Sequence, residues 1–95
     1  MIIVSGWLQI EPRKRQAYLD SCRSIIEAAR AAPGCTAFYL SADPLEHDRV
    51  NVFEQWHTAS DLEEFRQGGP GTQLQAAILT ASVHQHEIAS TTSLT

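Results

Sequence analysis

The stretch Val50-Asn51-Val52-Phe53-Glu54-Gln55-Trp56, closed by His57-Thr58-Ala59-Ser60-Asp61-Leu62, decides how this chain is read. Its first seven residues are rich in β-branched and aromatic types, which suit a pleated strand. Side chains alternate along a strand, so Val50, Val52, Glu54 and Trp56 share one face. Asn51, Phe53 and Gln55 take the other. A carboxylate and an indole among valines, on a face that another element should cover, imply either a cavity there or a buried partner for Glu54. A helix start follows at once: Ser60 is placed as an N-cap, and Glu63 completes a capping box with it.

Working outward, Ile2 to Ile10 alternates as a strand, with Ile2, Val4, Gly6, Leu8 and Ile10 on one nearly apolar face. Pro12 suits the first turn of a helix, where its missing N–H goes unused. Tyr18, Cys22, Ile25, Ile26 and Ala29 then form one helical stripe, and Pro33-Gly34 stops it. A second strand is expected from Cys35 to about Ala42, paired as a hairpin with about Arg49 to His57 through the polar turn at 43–48. The helix after Ser60 ends near Gln67-Gly68-Gly69. Leu74, Ala77, Ile78 and Ala81 have the spacing of a further helical turn or two, before a last strand from about Ser82 to Ala89. The order β-α-β-β-α-β predicts an α+β, ferredoxin-like antiparallel sheet with its helices on one face. The open face keeps Ile3, Trp7, Tyr39 and Phe53, a patch that marks an association surface, so a homodimer is expected.

Length and composition narrow the partners. Ninety-five residues suit a single domain, assigned to residues 1–89, with 90–95 as a polar tail. Apolar content of 43% and charged content of 19% describe a globular chain. A net charge of −4, with no basic cluster beyond Arg13-Lys14-Arg15, argues against nucleic acid. No apolar run approaches the roughly 18 residues that cross a bilayer. Met1-Ile2-Ile3-Val4 lacks the basic flank of a signal peptide, so a cytoplasmic setting is expected. Cys22 and Cys35 fit no metal spacing and read as free thiols.

Three motifs together resemble the antibiotic biosynthesis monooxygenase family. They are Pro33-Gly34-Cys35 before the second strand, Phe53-Glu54-Gln55-Trp56 in the third, and the helix start at Ser60-Asp61-Leu62. The similarity runs from Ile3 to about Ile88. It implies a dimeric α+β barrel, two sheets packed open face to open face, and a small-molecule cavity between sheet and helices. It also implies oxygenation of electron-rich aromatic, polyketide-like compounds by molecular oxygen with neither flavin nor metal. By that resemblance Trp56 holds the substrate; read from the residues alone, it equally seals the sheet against the helices.

Glu54 is a candidate base if it is desolvated near Trp56, and a structural ion pair is its other reading. His84 and His86 share a face of the last strand and are the other candidate proton movers; without a third ligand they define no metal site. Phe38, Leu40, Val52, Leu62, Phe65, Leu74 and Ile78 are the expected pocket walls, and the same residues would serve as core. The chain departs from catalytic relatives in having Val50 and Val52 where those carry polar residues. No histidine lies between Asp61 and Ala81, which argues against haem ligation. Gly68-Gly69-Pro70-Gly71 reads as a break between helical pieces and a gate to the cavity. Non-catalytic ligand binding and cofactor-free proton transfer remain as alternatives to oxygenation.

Overall fold

The alternation of the opening residues becomes the strand around which the sheet is assembled. A computed structural model describes residues 1–68 and 75–95. It contains β1 (Ile2–Ile10), β2 (Cys35–Ala42), β3 (Arg49–Trp56) and β4 (Ile78–Glu87) in one antiparallel sheet of order β2-β3-β1-β4. A 3-10 turn at Pro12–Lys14 leads into α1 (Arg15–Ser21) and α2 (Arg23–Ala31), and α3 (Ala59–Gln67) follows β3. The expected α+β, ferredoxin-like arrangement is therefore present. Among the described residues no helix is long and apolar enough to cross a membrane.

One face of the sheet forms the core. Ile2, Val4 and Ile10 of β1 and Val50 and Trp56 of β3 are buried there against Tyr18, Cys22 and Ala29 from the first helical layer and Leu62 from α3. Each such side chain contributes about 1.5–3 kcal/mol when it is large and fully covered. Ile3, Trp7, Tyr39 and Phe53 point the other way. Tyr39 remains 52% exposed and stacks on Phe53 at 6.0 Å, while the Arg49 guanidinium lies 4.6 Å over the Trp7 ring.

The hairpin turn is held by polar groups at both ends. Asp43 accepts the backbone N–H groups of Leu45 (3.0 Å) and Glu46 (2.8 Å) and the side-chain amide of Asn51 (2.8 Å). From α1, Arg15 donates to the Glu46 carbonyl at 2.9 Å and so ties the turn to the helical layer. Gly34 adopts φ +82° after α2, a conformation that favours glycine, and a Cβ there would collide with the Asp61 carboxylate. Gly6 answers a different need. With φ +149°, it lets β1 approach β4 so closely that a Cβ would collide with the Ser82 carbonyl.

Four local expectations are corrected. The single helix is divided at Cys22, whose N–H is shared between the carbonyls of Tyr18 (3.0 Å) and Leu19 (3.1 Å). Beside it, Ser21 donates its hydroxyl back to Ala17 at 2.9 Å, a contact that bends helices. The N-cap of α3 is Thr58, two residues before Ser60; its Oγ1 accepts the Asp61 N–H at 3.1 Å from an extended backbone. Ile78 and Ala81 are strand residues, and β4 begins four residues earlier than expected. Gln9 pairs with Thr80 and Ile10 with Ile78, so Leu79 is an extra, bulged residue. A bulge brings residues three apart onto one face, which imitates helical spacing in the sequence. A second bulge at Thr36 sets Cys35 opposite Trp56 and Ala37 opposite Gln55, returning Cys35 to the helix-facing side with Phe38.

Candidate active site

Glu54 lies near the middle of the sheet on its helix-facing side, between Val4 of β1 and Phe38 of β2. The two-residue spacing puts Trp56 on the same side, and its indole Nε1–H donates to Glu54 Oε1 at 3.0 Å. Trp56 itself is fully buried and lies against Phe65 of α3, with ring centroids 5.3 Å apart. Phe65 in turn meets Phe38 edge-on at 6.0 Å. The three rings form a continuous wall that joins α3 to the sheet.

Beside this wall is a cavity of about 170 Å³. The sheet supplies Phe38, Leu40 and Glu54. Tyr18, Cys22 and Ile25 come from the first helical layer, and Phe65 and Arg66 from the end of α3. Burial pushes the Glu54 carboxyl above its ordinary value, while the Trp56 hydrogen bond and the Arg66 charge act against that rise. Burial also pushes up the Tyr18 phenol, which packs beside Cys22, and raises both thiols, Cys22 and Cys35. These groups stay neutral at ordinary pH. Among the described residues, Glu54 is the one carboxylate in the cavity lining.

The expected residues divide into three sets. Phe38, Leu40, Glu54 and Phe65 come together around the cavity. Val52 and Leu62 are buried in the core without lining it, and Trp56 stands behind Glu54 as its hydrogen-bond donor. Ile78 packs from β4 into the half of the core around Tyr18 and Cys22. His84 and His86 pair with Ser5 and Ile3, so they lie exposed on the open face, with the sheet between them and Glu54. Their rings are 6.5 Å apart, and among the described residues no three His, Cys, Asp or Glu side chains gather as a metal site. Leu74 and the 69–71 part of the expected gate lie outside the described residues.

Four lining residues went unlisted in the sequence reading: Tyr18, Cys22, Ile25 and Arg66. The first three were visible as a stripe of spacing four and three. Arg66 follows Leu62 by four residues, which is the only signal that it turns toward the cavity rather than to water. A larger hollow, about 340 Å³, runs along the outer edge of β2 between Arg30 and Tyr39. It has no carboxylate or histidine in its lining, so the smaller cavity is the better chemical site.

Residues 1–77 match the family model described as antibiotic biosynthesis monooxygenase, and the chain belongs to that family. A curated relative, the uncharacterized protein sll1783 of Synechocystis sp., is 27% identical over 62 residues, or 65% of this chain. The matched segment spans 42% of that relative's length. Among solved structures, a Deinococcus radiodurans protein described as a candidate antibiotic biosynthesis monooxygenase superposes with TM-score 0.86 at 17% identity, covering 100% of this chain and 99% of its own. Rv0793 from Mycobacterium tuberculosis gives 0.81 at 20% identity, covering 97% and 98%. At these identities the likeness to the two structures is one of fold.

Proposed function

We propose that this chain oxygenates a small aromatic or polyketide-like compound held between the sheet and the helices, with Glu54 as the base and no bound cofactor. The observation that carries this reading is a carboxylate of raised proton affinity set in the wall of an otherwise largely apolar cavity. Glu54 would take a proton from a phenol or from an activated CH2 group. The resulting anion transfers an electron to oxygen, the radical pair combines to a peroxide, and protonated Glu54 returns its proton. Loss of water then leaves a carbonyl, so that CH2 and O2 become C=O and H2O. Trp56 contributes by fixing the carboxylate. His84 and His86 face away from the cavity within one protomer, which favours Glu54 as the proton carrier.

A homodimer closed through the open face belongs to the same proposal; it is supported by Ile3, Trp7, Tyr39 and Phe53 lying together there, and its mass in solution tests it. The apolar lining favours a second reading, ligand binding without turnover. An oxygen electrode separates the two with a panel of hydroxyaryl compounds, from one ring up to anthrone-type. Oxygenation predicts oxygen consumption that Glu54→Gln lowers by about 10²–10⁴-fold, the usual contribution of a positioned base. Turnover that continues unchanged without oxygen would overturn it, and binding with no turnover would leave the second reading.

A further inference from the structure

The cavity carries one charged group of each sign. Glu54 is on the sheet, and Arg66 is in the last turn of α3, where it lines the cavity from the rim and stays largely exposed. The two are not ion-paired, and among the described residues Arg66 pairs with no carboxylate; the salt bridges there are Lys14–Glu11 and Arg23–Glu27. Phe38 and Phe65, edge to face, line the same cavity as the two charged groups.

A cation in the last helical turn complements the helix dipole, which accounts for a basic residue at this end of α3. It does not account for the side of the helix chosen. Leu62, Phe65 and Arg66 are spaced three and four apart, so they occupy the face turned to the sheet. A guanidinium there presents a planar fork of donors that fits a carboxylate or phenolate. Size gives a second constraint. An apolar cavity of about 150 Å³ accepts one benzene ring, and this one measures about 170 Å³.

We propose that the cavity selects a small aromatic acid: a single ring seated against Phe38 and Phe65, with its carboxylate or phenolate held by Arg66 at the rim and its reacting carbon turned toward Glu54. The proposal rests on the reading of this cavity as the substrate site. It makes Arg66 the residue that sets specificity, distinct from Glu54, which would act on the reacting atoms. It also offsets the repulsion that an anionic ligand would otherwise meet from the Glu54 carboxylate.

Calorimetric titration of the full chain with benzoate and with benzamide, its neutral counterpart of the same shape, tests this. The expected result is benzoate binding about tenfold tighter than benzamide. That ratio should fall to about one in Arg66→Met and be partly retained in Arg66→Lys. Benzamide should still bind in all three proteins, which shows that the ring site is retained. Equal affinity for both ligands in the unaltered protein, or a benzoate preference that survives in Arg66→Met, overturns the proposal. Failure of both ligands to bind overturns it together with the cavity reading. A benzoate preference without oxygen uptake on any compound sinks the oxygenase reading alone, and oxygen uptake with no preference sinks the Arg66 assignment alone.

Discussion

Glu54 shares its side of β3 with Val50, Val52 and Trp56, and among the described residues its carboxylate accepts one hydrogen bond, from the Trp56 indole. Because burial raises its proton affinity, the folded chain holds this proton more tightly than the unfolded chain does. The stability it adds is therefore fully present below the unfolded-state value and is lost as pH rises through the folded one. Glu54→Gln keeps an acceptor for Trp56 and removes the partly buried charge. We expect it to melt higher than the unaltered protein at neutral pH, with the difference closing near about pH 4, where a free glutamate protonates. Thermal unfolding across pH checks this, and a difference independent of pH would refute it. Asp43 has the opposite sign: backbone N–H groups and Asn51 pull it down to about 2, so its contribution is lost only as pH falls through that value. The shared face of Glu54 and Trp56 was legible from their spacing of two. Their hydrogen bond was not, since it depends on how both side chains rotate. Arg66 was illegible for a related reason: a long charged residue on a short helix looks solvated until the sheet beneath it is placed.

The elements were read well where one face is apolar and poorly where a strand carries an extra residue. Cys35–Ala42 emerged with its bounds, because alternation and the Pro33-Gly34 stop agree. The bulges at Thr36 and Leu79 did not, since a bulge is defined against the partner strand and leaves no composition signal of its own. The start of α3 was misplaced because Thr58 and Ser60 are both competent caps, and only the extended backbone at Thr58 decides between them. Thr58→Ala should destabilise the chain by about 1 kcal/mol, lowering the melting temperature by about 4–8 °C for a domain of this size. Ser60→Ala should stay within about 0.5 kcal/mol. The reverse ranking in thermal unfolding would show that Ser60 is the true cap. Since α3 carries Phe65 and Arg66, its first turn also bears on how firmly the cavity wall is held.

At the scale of the whole molecule, the β-α-β-β-α-β order and the division of each strand into core and open faces were legible, because apolar alternation fixes both. The size of the cavity was not, since it depends on gaps between layers rather than on any one residue. Tyr39 and Phe53 stack on the face turned away from the helices, where Tyr39 stays half exposed and the guanidiniums of Arg30 and Arg49 lie over Tyr39 and Trp7. Sedimentation at micromolar concentration should give twice 10.5 kDa, and a single-chain mass would end that part of the proposal.

The two bulges have a further consequence at the margins of the sheet. β2 and β4 are its outer strands, and each has a row of backbone groups that another chain could extend. Thr36 breaks the regular row of β2, using its own hydroxyl to meet the Gln55 carbonyl at 3.1 Å, and Arg30 occupies the Phe38 carbonyl at 2.9 Å. Leu79 breaks the row of β4. A stray strand meets an interrupted template on either side, and the sheet is guarded against growing into an aggregate.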